Sequence, residues 1–343
     1  MTRVYDSFPR LVQAPMAGSQ GSALAIAVGQ SGGLGSLPCA MLSLEQLHHE
    51  LGHLAAAGLP AYNINFFAHS TPQPDPAQEK AWLDCLKPYF EEWGLNPSQV
   101  VSGPGRQPFS AAQAEVLEAY KPAVVSFHFG LPSTDLLRRV KAMGSQVWST
   151  ATTVAEGLWL QAHGADAVIA QGLEAGGHRG HFLSPALTEQ MGTFALVPQL
   201  VKALDIPVIA AGGIATPQAV QAALALGASA VQVGSAYLLA HEATTSAVHR
   251  AALKTDARLH TALTNLFSGR PARGMVNRVM RELGPLRGDV PAFPLATAAM
   301  APLRAAAEKA GHGDFSPLWV GQHLATTTEE SAAVITQRLL SVL

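Results

Sequence analysis

Leu11-Val12-Gln13-Ala14-Pro15-Met16-Ala17-Gly18 is a short apolar run that breaks at proline and glycine. An open dinucleotide-binding sheet carries G-x-G-x-x-G after its first strand, and this string does not match it. Outward from here the same unit recurs: an apolar or β-branched run, a Gly, Pro or polar break, then an amphipathic helical stretch. The strand candidates are Leu11–Ala14, Gly33–Ser36, Tyr62–Phe66, Val124–Phe129, Val147–Thr150, Ala167–Gln171, Val208–Ala211 and Ala230–Gly234. Helical patterns lie between them at Ser22–Ser31, Leu44–Ala57, Ala111–Tyr120, Thr134–Met143, Thr153–His163, Val197–Leu204 and Pro217–Leu226. Thr216-Pro217, with proline at the first helical position, and Ser110 ahead of Ala111 mark two helix starts. Strands alternating with helices form parallel sheets, and near-continuous apolar strands are covered on both faces. Eight such units predict a closed (β/α)8 TIM barrel of the α/β class.

Two stretches interrupt the repeat. Residues 69–109 carry proline-rich loops around a helix at Ala77–Trp93, and residues 239–312 read as helix and loop with no strand candidate. The expected organisation is a barrel begun over 1–68, an insertion over 69–93 packing near a cap, and barrel again over 94–238. A smaller cap that shapes a substrate site follows over 239–312, and a C-terminal helical segment, 313–343, returns to the barrel.

The 343 residues are 48% hydrophobic and only 13% charged, against roughly 25% charged in an ordinary soluble chain. Much of the surface is therefore expected to be buried against itself or a partner. A net charge of −2, with 22 scattered Lys and Arg, gives no electrostatic case for nucleic acid or an anionic membrane. Only Cys39 and Cys85 occur; one disulfide is arithmetically possible but a chain this size has no need of one, and no C-x-x-C pair is present, so no metal is expected. The first residues lack a signal peptide's apolar stretch, and runs such as Pro207–Ala211 are strand-sized. A soluble, cytoplasmic protein is expected.

Barrel sites form at the C-terminal ends of the strands, and the unusual residues gather there. Strand one ends in Pro15-Met16-Ala17-Gly18, strand three carries Asn63 and Asn65, and strand four runs into Ser126-Phe127-His128-Phe129-Gly130. Strand six runs into Gln171-Gly172-Leu173-Glu174-Ala175-Gly176-Gly177-His178-Arg179-Gly180. Glycines after strand seven (Gly212-Gly213) and Gly234-Ser235 after strand eight are an arrangement that surrounds a phosphate with backbone N–H groups. A tight turn is the plainer reading of Gly212-Gly213 alone. In a flavin enzyme Asn65 and Gln171 would be neutral amides near the isoalloxazine ring, whose edges need donors and acceptors.

Two glycines before His178 let the backbone approach a planar ligand and let the imidazole project into the barrel mouth. There it can move protons near neutral pH and, as a cation, stabilise an anionic substrate. His128 is the second candidate. Glu174 and Arg179 either pair with each other or orient the loop. His181 fits the surface equally well, and Cys39 reads as a small buried hydrophobe.

The strings QAPMAG (13–18), INFF (64–67), SFHFG (126–130), QGLEAGGHRG (171–180), AAGGI (210–214), QVGS (232–235) and SGRPARG (268–274) resemble the bacterial nitronate monooxygenases, formerly called 2-nitropropane dioxygenases. The likeness is to their class I group, and Leu318-Trp319-Val320-Gly321-Gln322 is a weaker echo. The resemblance implies FMN on a barrel, no metal and no nicotinamide requirement. It makes Asn65, Gln171, Gly176, Gly177, Gly213, Gln232, Val233, Gly234 and Ser235 FMN contacts, with Met16 and Ala17 beside the ring. It makes His178 catalytic, with His128 and Met16 lining the substrate. The implied reaction passes a single electron from a bound nitronate to FMN, and oxygen then reoxidises the semiquinone. The oxygenated nitro intermediate collapses to a carbonyl compound and nitrite. Propionate 3-nitronate, a toxin of plants and fungi, is the implied physiological substrate, with O2 as the second. Tyr237, Phe267 and Trp319 are the aromatic candidates for shaping the pocket. Arg179, Arg270 and Arg273 either supply positive potential over the flavin or pair with local carboxylates. A monomer or homodimer is expected. Two other readings stand beside this one: a flavin-dependent enoyl-acyl-carrier-protein reductase drawing hydride from NADH or NADPH, and a flavin-binding regulatory barrel without turnover.

Overall fold

The computed structural model describes residues 8–100, 106–323 and 328–343. In chain order the first half runs β1 (Leu11–Gln13), α1 (Ser22–Gln30), β2 (Ser36–Pro38), α2 (Leu44–Ala56), β3 (Asn63–Phe67), α3 (Pro76–Glu92), α4 (Ala111–Tyr120), β4 (Val124–His128), α5 (Thr134–Ala142), β5 (Gln146–Ala151), α6 (Val154–Ala162) and β6 (Ala167–Gln171). There follow β7 (Gly177–His178), α7 (Thr193–Ala203), β8 (Val208–Ala211), α8 (Pro217–Ala225), β9 (Ala230–Val233), α9 (Ala247–Leu253), β10 (Thr261–Thr264), β11 (Ala272–Met275), α10 (Arg278–Leu283), α11 (Thr297–Lys309) and α12 (Ala332–Leu340).

Eight parallel strands lie in the order β1-β9-β8-β6-β5-β4-β3-β2. The ends meet at a Val12–Leu34 bridge, where Leu34 N donates to Leu11 O at 2.8 Å and Gln13 N to Leu34 O at 2.9 Å. This is the expected barrel. Alternation along each strand fills two layers: Val12, Trp148, Ile169 and Ile209 pack in one cluster, while Leu11, Val168, Ala170 and Val208 pack with the α7 residues Leu196 and Leu200 in another. Ala332, Ile335 and Leu339 of α12 belong to that second cluster, so the C-terminal helix closes the outer wall beside β1.

Local chemistry starts the helices where the sequence signals it. Thr216 accepts from Ala219 N ahead of Pro217, and Ser110 forms a reciprocal cap with Gln113. Helix α7 begins four residues before its expected start at Val197. The Glu174 carboxylate, from the loop after β6, accepts from Thr193 N at 2.8 Å and caps a helix whose own preceding residue is Gly192. Such a long-range cap has no local sequence signature.

Outside the barrel, Trp82, Leu86, Tyr89 and Phe90 of α3 pack with Leu266, Val279, Met280, Met300, Leu303 and Phe315 in a separate core. Each large apolar side chain buried this way contributes roughly 1.5–3 kcal/mol. The reading of 239–312 as free of strands is corrected here. Thr261–Thr264 and Ala272–Met275 pair antiparallel, and β11 also pairs with β7, placing Ala272 opposite His178 and Arg273 opposite Gly177. Four-residue strands are too short to show a period, and their third partner lies in a barrel loop far away in sequence.

Candidate functional site

The C-terminal strand ends open into a cavity with about 1310 Å³ of empty space, its open mouth included. Met16, Ala17, Asn65, His128, Gln171, Gly176, Gly177, His178, Gly213, Gln232, Gly234 and Ser235 all line it. Val233 does not: its side chain is fully buried in the outer core, and its carbonyl accepts from Ala14 N.

One end is built of glycine. Gly212 (φ +106°) and Gly213 (φ +71°) follow β8 in backbone conformations that L side chains rarely adopt. A Cβ on Gly176 would lie 2.5 Å from Gly321 N, so this loop needs glycine to sit against the segment 320–321. That segment is fastened across three barrel loops. Gly321 N donates to Ser235 Oγ at 2.8 Å, Gln322 N to Glu174 O at 2.9 Å, and His323 Nδ1–H to Gly213 O at 2.7 Å.

Neutral amides set the cavity floor. Gln13, Gln20 and Ser36 form a buried network, and Gln20 Oε1 also accepts from Met16 N at 3.0 Å, fixing the turn after β1. Asn65 donates to Ser126 Oγ at 2.9 Å. Gln171 donates to His178 O at 2.9 Å and accepts from Gly180 N at 2.8 Å. Gln232 Oε1 is buried without a partner among the described residues.

The other end is aromatic and histidine-rich. His178 Nε2 lies 2.8 Å from Ser268 Oγ, and its ring meets Phe293 at 5.3 Å and Trp319 at 5.5 Å edge to face. Burial first, then Arg106, His128, Arg270 and His69, hold its pKa well below the ordinary histidine value. The neutral imidazole is thereby favoured. His128 is also neutral, its pKa pushed down to about 3, mainly by burial. Its Nε2 sits 3.0 Å from the His178 carbonyl, which only accepts, so the proton is on Nε2 and Nδ1 accepts from Thr150 Oγ1 at 3.0 Å.

Charge comes instead from arginine. Arg270 lies 4.1 Å over the Phe129 ring and donates to the carbonyls of Arg179 and His181. Burial lowers its pKa to about 10, which leaves it charged. Arg106 lines the cavity and donates to Thr297 Oγ1 at 3.2 Å. Arg179 is fully buried on Gln190 and the carbonyls of Gln171 and Gly172, and Arg273 donates to Leu173 O. No ion pair joins Glu174 to Arg179, nor any of these arginines to a carboxylate, among the described residues. Phe129, with φ +74°, holds a strained conformation beneath the Arg270 guanidinium.

Of the aromatic candidates, Trp319 lines the cavity, Phe267 packs on Trp319, and Tyr237 is buried on Thr336 beneath the barrel wall. His181 is buried, not superficial, and so is Cys39. Sequence reading missed Arg106, Ser268, Phe293 and His323. Ser268 stands in the SGRPARG string, but the others carry no local signal.

Two strings with catalytic spacing lie elsewhere. His49-Glu50-Leu51-Gly52-His53 on α2 fits the zinc pattern H-E-x-x-H. Its Glu50 is engaged by Ser22 N at 2.6 Å, and no cluster of three metal-ligating residues occurs among the described residues. Gly29-Gln30-Ser31-Gly32-Gly33 fits G-x-S-x-G, but Ser31 Oγ donates to Ala27 O at a helix end.

The profile of the family described as nitronate monooxygenase matches residues 1–341. The chain belongs to the nitronate monooxygenase family. It is 40% identical to nitronate monooxygenase of Pseudomonas aeruginosa, over all of this chain and 98% of that one. The crystal structure of nitroalkane oxidase from Streptomyces ansochromogenes superposes with a TM-score of 0.90 at 36% identity, covering 100% of this chain and 98% of the other. FabK from Thermotoga maritima fits less well: TM-score 0.71, 25% identity, covering 97% and 92%. This member of the family is an enzyme of the nitronate-oxidising class, with a TIM-barrel fold, and no helix among its described residues is long and apolar enough to cross a membrane.

Proposed function

We propose that this chain binds FMN and oxidises small alkyl nitronates, propionate 3-nitronate foremost, with molecular oxygen to a carbonyl compound and nitrite. The observation that carries the reading is a cavity whose glycine end suits a phosphate and whose opposite end sets a neutral histidine among aromatic rings and arginines.

The residues fit the cofactor. The positive-φ glycines leave no Cβ where a phosphate must approach. The orphaned Gln232 Oε1 is an acceptor awaiting a ligand N–H or O–H, and Gln171 and Asn65 are already oriented by their own hydrogen bonds. Bound there, FMN would supply the electron acceptor and the path to oxygen.

The remaining work falls to the protein. Arg106 in the cavity wall and Arg270 behind Phe129 favour an anion, and no carboxylate stands among the described residues that line the cavity. Phe67, Phe293 and Trp319 surround His178 and exclude water, which strengthens every charge interaction inside. Ser268, whose hydroxyl reaches the Arg270 carbonyl at 3.5 Å, accepts from His178 Nε2–H and leaves Nδ1 to take a proton from a neutral nitroalkane. The segments 69–93 and 239–312 act as the cap over this chemistry. Two free cysteines, one buried, fit a reducing cytoplasm, and the chain acts as a monomer or homodimer.

The test is cofactor extraction followed by anaerobic mixing. FMN is expected, bleached by propionate 3-nitronate and not by NADH. Rapid bleaching by NADH would favour the enoyl-reductase reading, and FAD or a colourless protein that ignores FMN would overturn the cofactor.

A further inference from the structure

The phosphate end of the cavity holds one charged or titratable side chain, and it comes from outside the barrel repeat. Of the cavity-lining residues, only Arg106, His128, His178 and His323 carry titratable side chains. The first three belong to the aromatic end. His128 and His178 share ring contacts with Phe67 and Phe129, and the Arg106 carbonyl accepts from His69, whose own ring meets both phenylalanines. His323 alone sits with Gly213, Ser235 and Gly321.

The geometry of this histidine is fixed. Gly213 O only accepts, so the 2.7 Å contact places a proton on Nδ1. Nε2 then stands on the opposite side of the ring with no partner among the described residues. Nearby, Gly321 N occupies a lone pair of Ser235 Oγ and leaves the serine hydroxyl hydrogen to donate. The carboxylate of Glu174 lies beneath the same loop, its side chain 3.3 Å from where a Gly213 Cβ would be. Backbone N–H groups alone would therefore hold a phosphate dianion close to a fixed negative charge.

We propose that His323 is a ligand of the cofactor phosphate, its protonated Nε2 donating to a phosphate oxygen, and that it makes the site select a phosphorylated flavin over riboflavin. The inference rests on the FMN reading above. The anchor and the charge are separable on one ring. The Nδ2 of asparagine reproduces the Nδ1–H donor toward Gly213 O but has nothing in the place of Nε2, so His323→Asn keeps the segment fastened and removes only the proposed contact.

The experiment titrates protein stripped of flavin with FMN and with riboflavin, following quenching of flavin fluorescence. Wild type is expected to bind FMN more tightly than riboflavin. In His323→Asn the Kd for FMN should rise about tenfold, the size of one charge-assisted hydrogen bond, while that for riboflavin moves by less than about twofold. His323→Arg, which places a guanidinium there, should recover part of the preference. Unchanged FMN affinity in His323→Asn, or equal losses for both flavins, would overturn the proposal and leave His323 a structural anchor. A wild type that takes up neither flavin would instead overturn the cofactor reading itself.

Discussion

The two ends of the cavity are made in different ways. The glycine end is built from turns after β6, β8 and β9 with the segment 320–323 laid against them, and glycine supplies much of its wall. The histidine end is built in part by residues beyond β9, since Ser268, Phe293 and Trp319 all reach His178. The repeated scaffold supplies one wall of the cavity, and the irregular segments beyond β9 supply aromatic rings at the other. The loop after β6 joins the two, with Gly176 serving one end and His178 the other.

The sharpest break of this comparison lies at the glycine end. Gly213→Val puts a β-branched side chain at φ +71°, with its Cβ about 3.3 Å from that of Glu174. The strain alone costs on the order of 1–3 kcal/mol, and the side chain stands where a phosphate approaches. FMN binding should weaken by about 10²-fold or more, with the far-ultraviolet circular dichroism unchanged. A folded variant of normal FMN affinity would move the phosphate site elsewhere.

At the other end, His178→Asn should keep its FMN, because the glycine loops do not depend on the imidazole. Turnover should fall by about 10²-fold or more. A preformed nitronate has already lost its α-proton, so it should suffer less than the neutral nitroalkane. Equal losses would assign the residue to electrostatic or positional work, and wild-type rates on both would pass the role to His128.

Arg106→Met probes the charge of the same end. The kcat/KM for propionate 3-nitronate should drop about tenfold more than that for propyl 1-nitronate, which lacks the carboxylate. Parallel changes on both substrates would mean that Arg106 serves the nitro group or the fold.

The smallest effect is on stability. Burial holds His69 at about 4 and His128 and His181 at about 3, and lowers His178 as well. Their folded values are depressed, so the unfolded chain takes up protons first as the pH falls below roughly 6.5. Stability should be flat above that pH and fall below it, read as a lower urea midpoint at about pH 5 than at about pH 7.5. His181→Asn should blunt the fall, and a midpoint independent of pH would contradict neutral buried histidines.

These differences also explain what the sequence disclosed. Barrel strands such as Val208–Ala211 are legible because burial on both faces demands continuous apolar residues, and Gly212-Gly213 is legible because only glycine tolerates its turn. The region after β9 resists reading. Its hairpin, Thr261–Thr264 with Ala272–Met275, is stabilised by a third strand, Gly177–His178, contributed from the barrel. Arg106 and Phe293 enter the site from loops without a period, so their placement is purely tertiary. The lowered pKa of His178 was not legible either, because the rings and arginines around it come from separate parts of the chain.

Oxygen uptake measured together with nitrite release tests the whole account most directly. Wild-type protein given propionate 3-nitronate in air should consume oxygen and release nitrite, and NADH in its place should draw neither. Steady NADH-driven turnover with no oxygen consumed on the nitronate would contradict it.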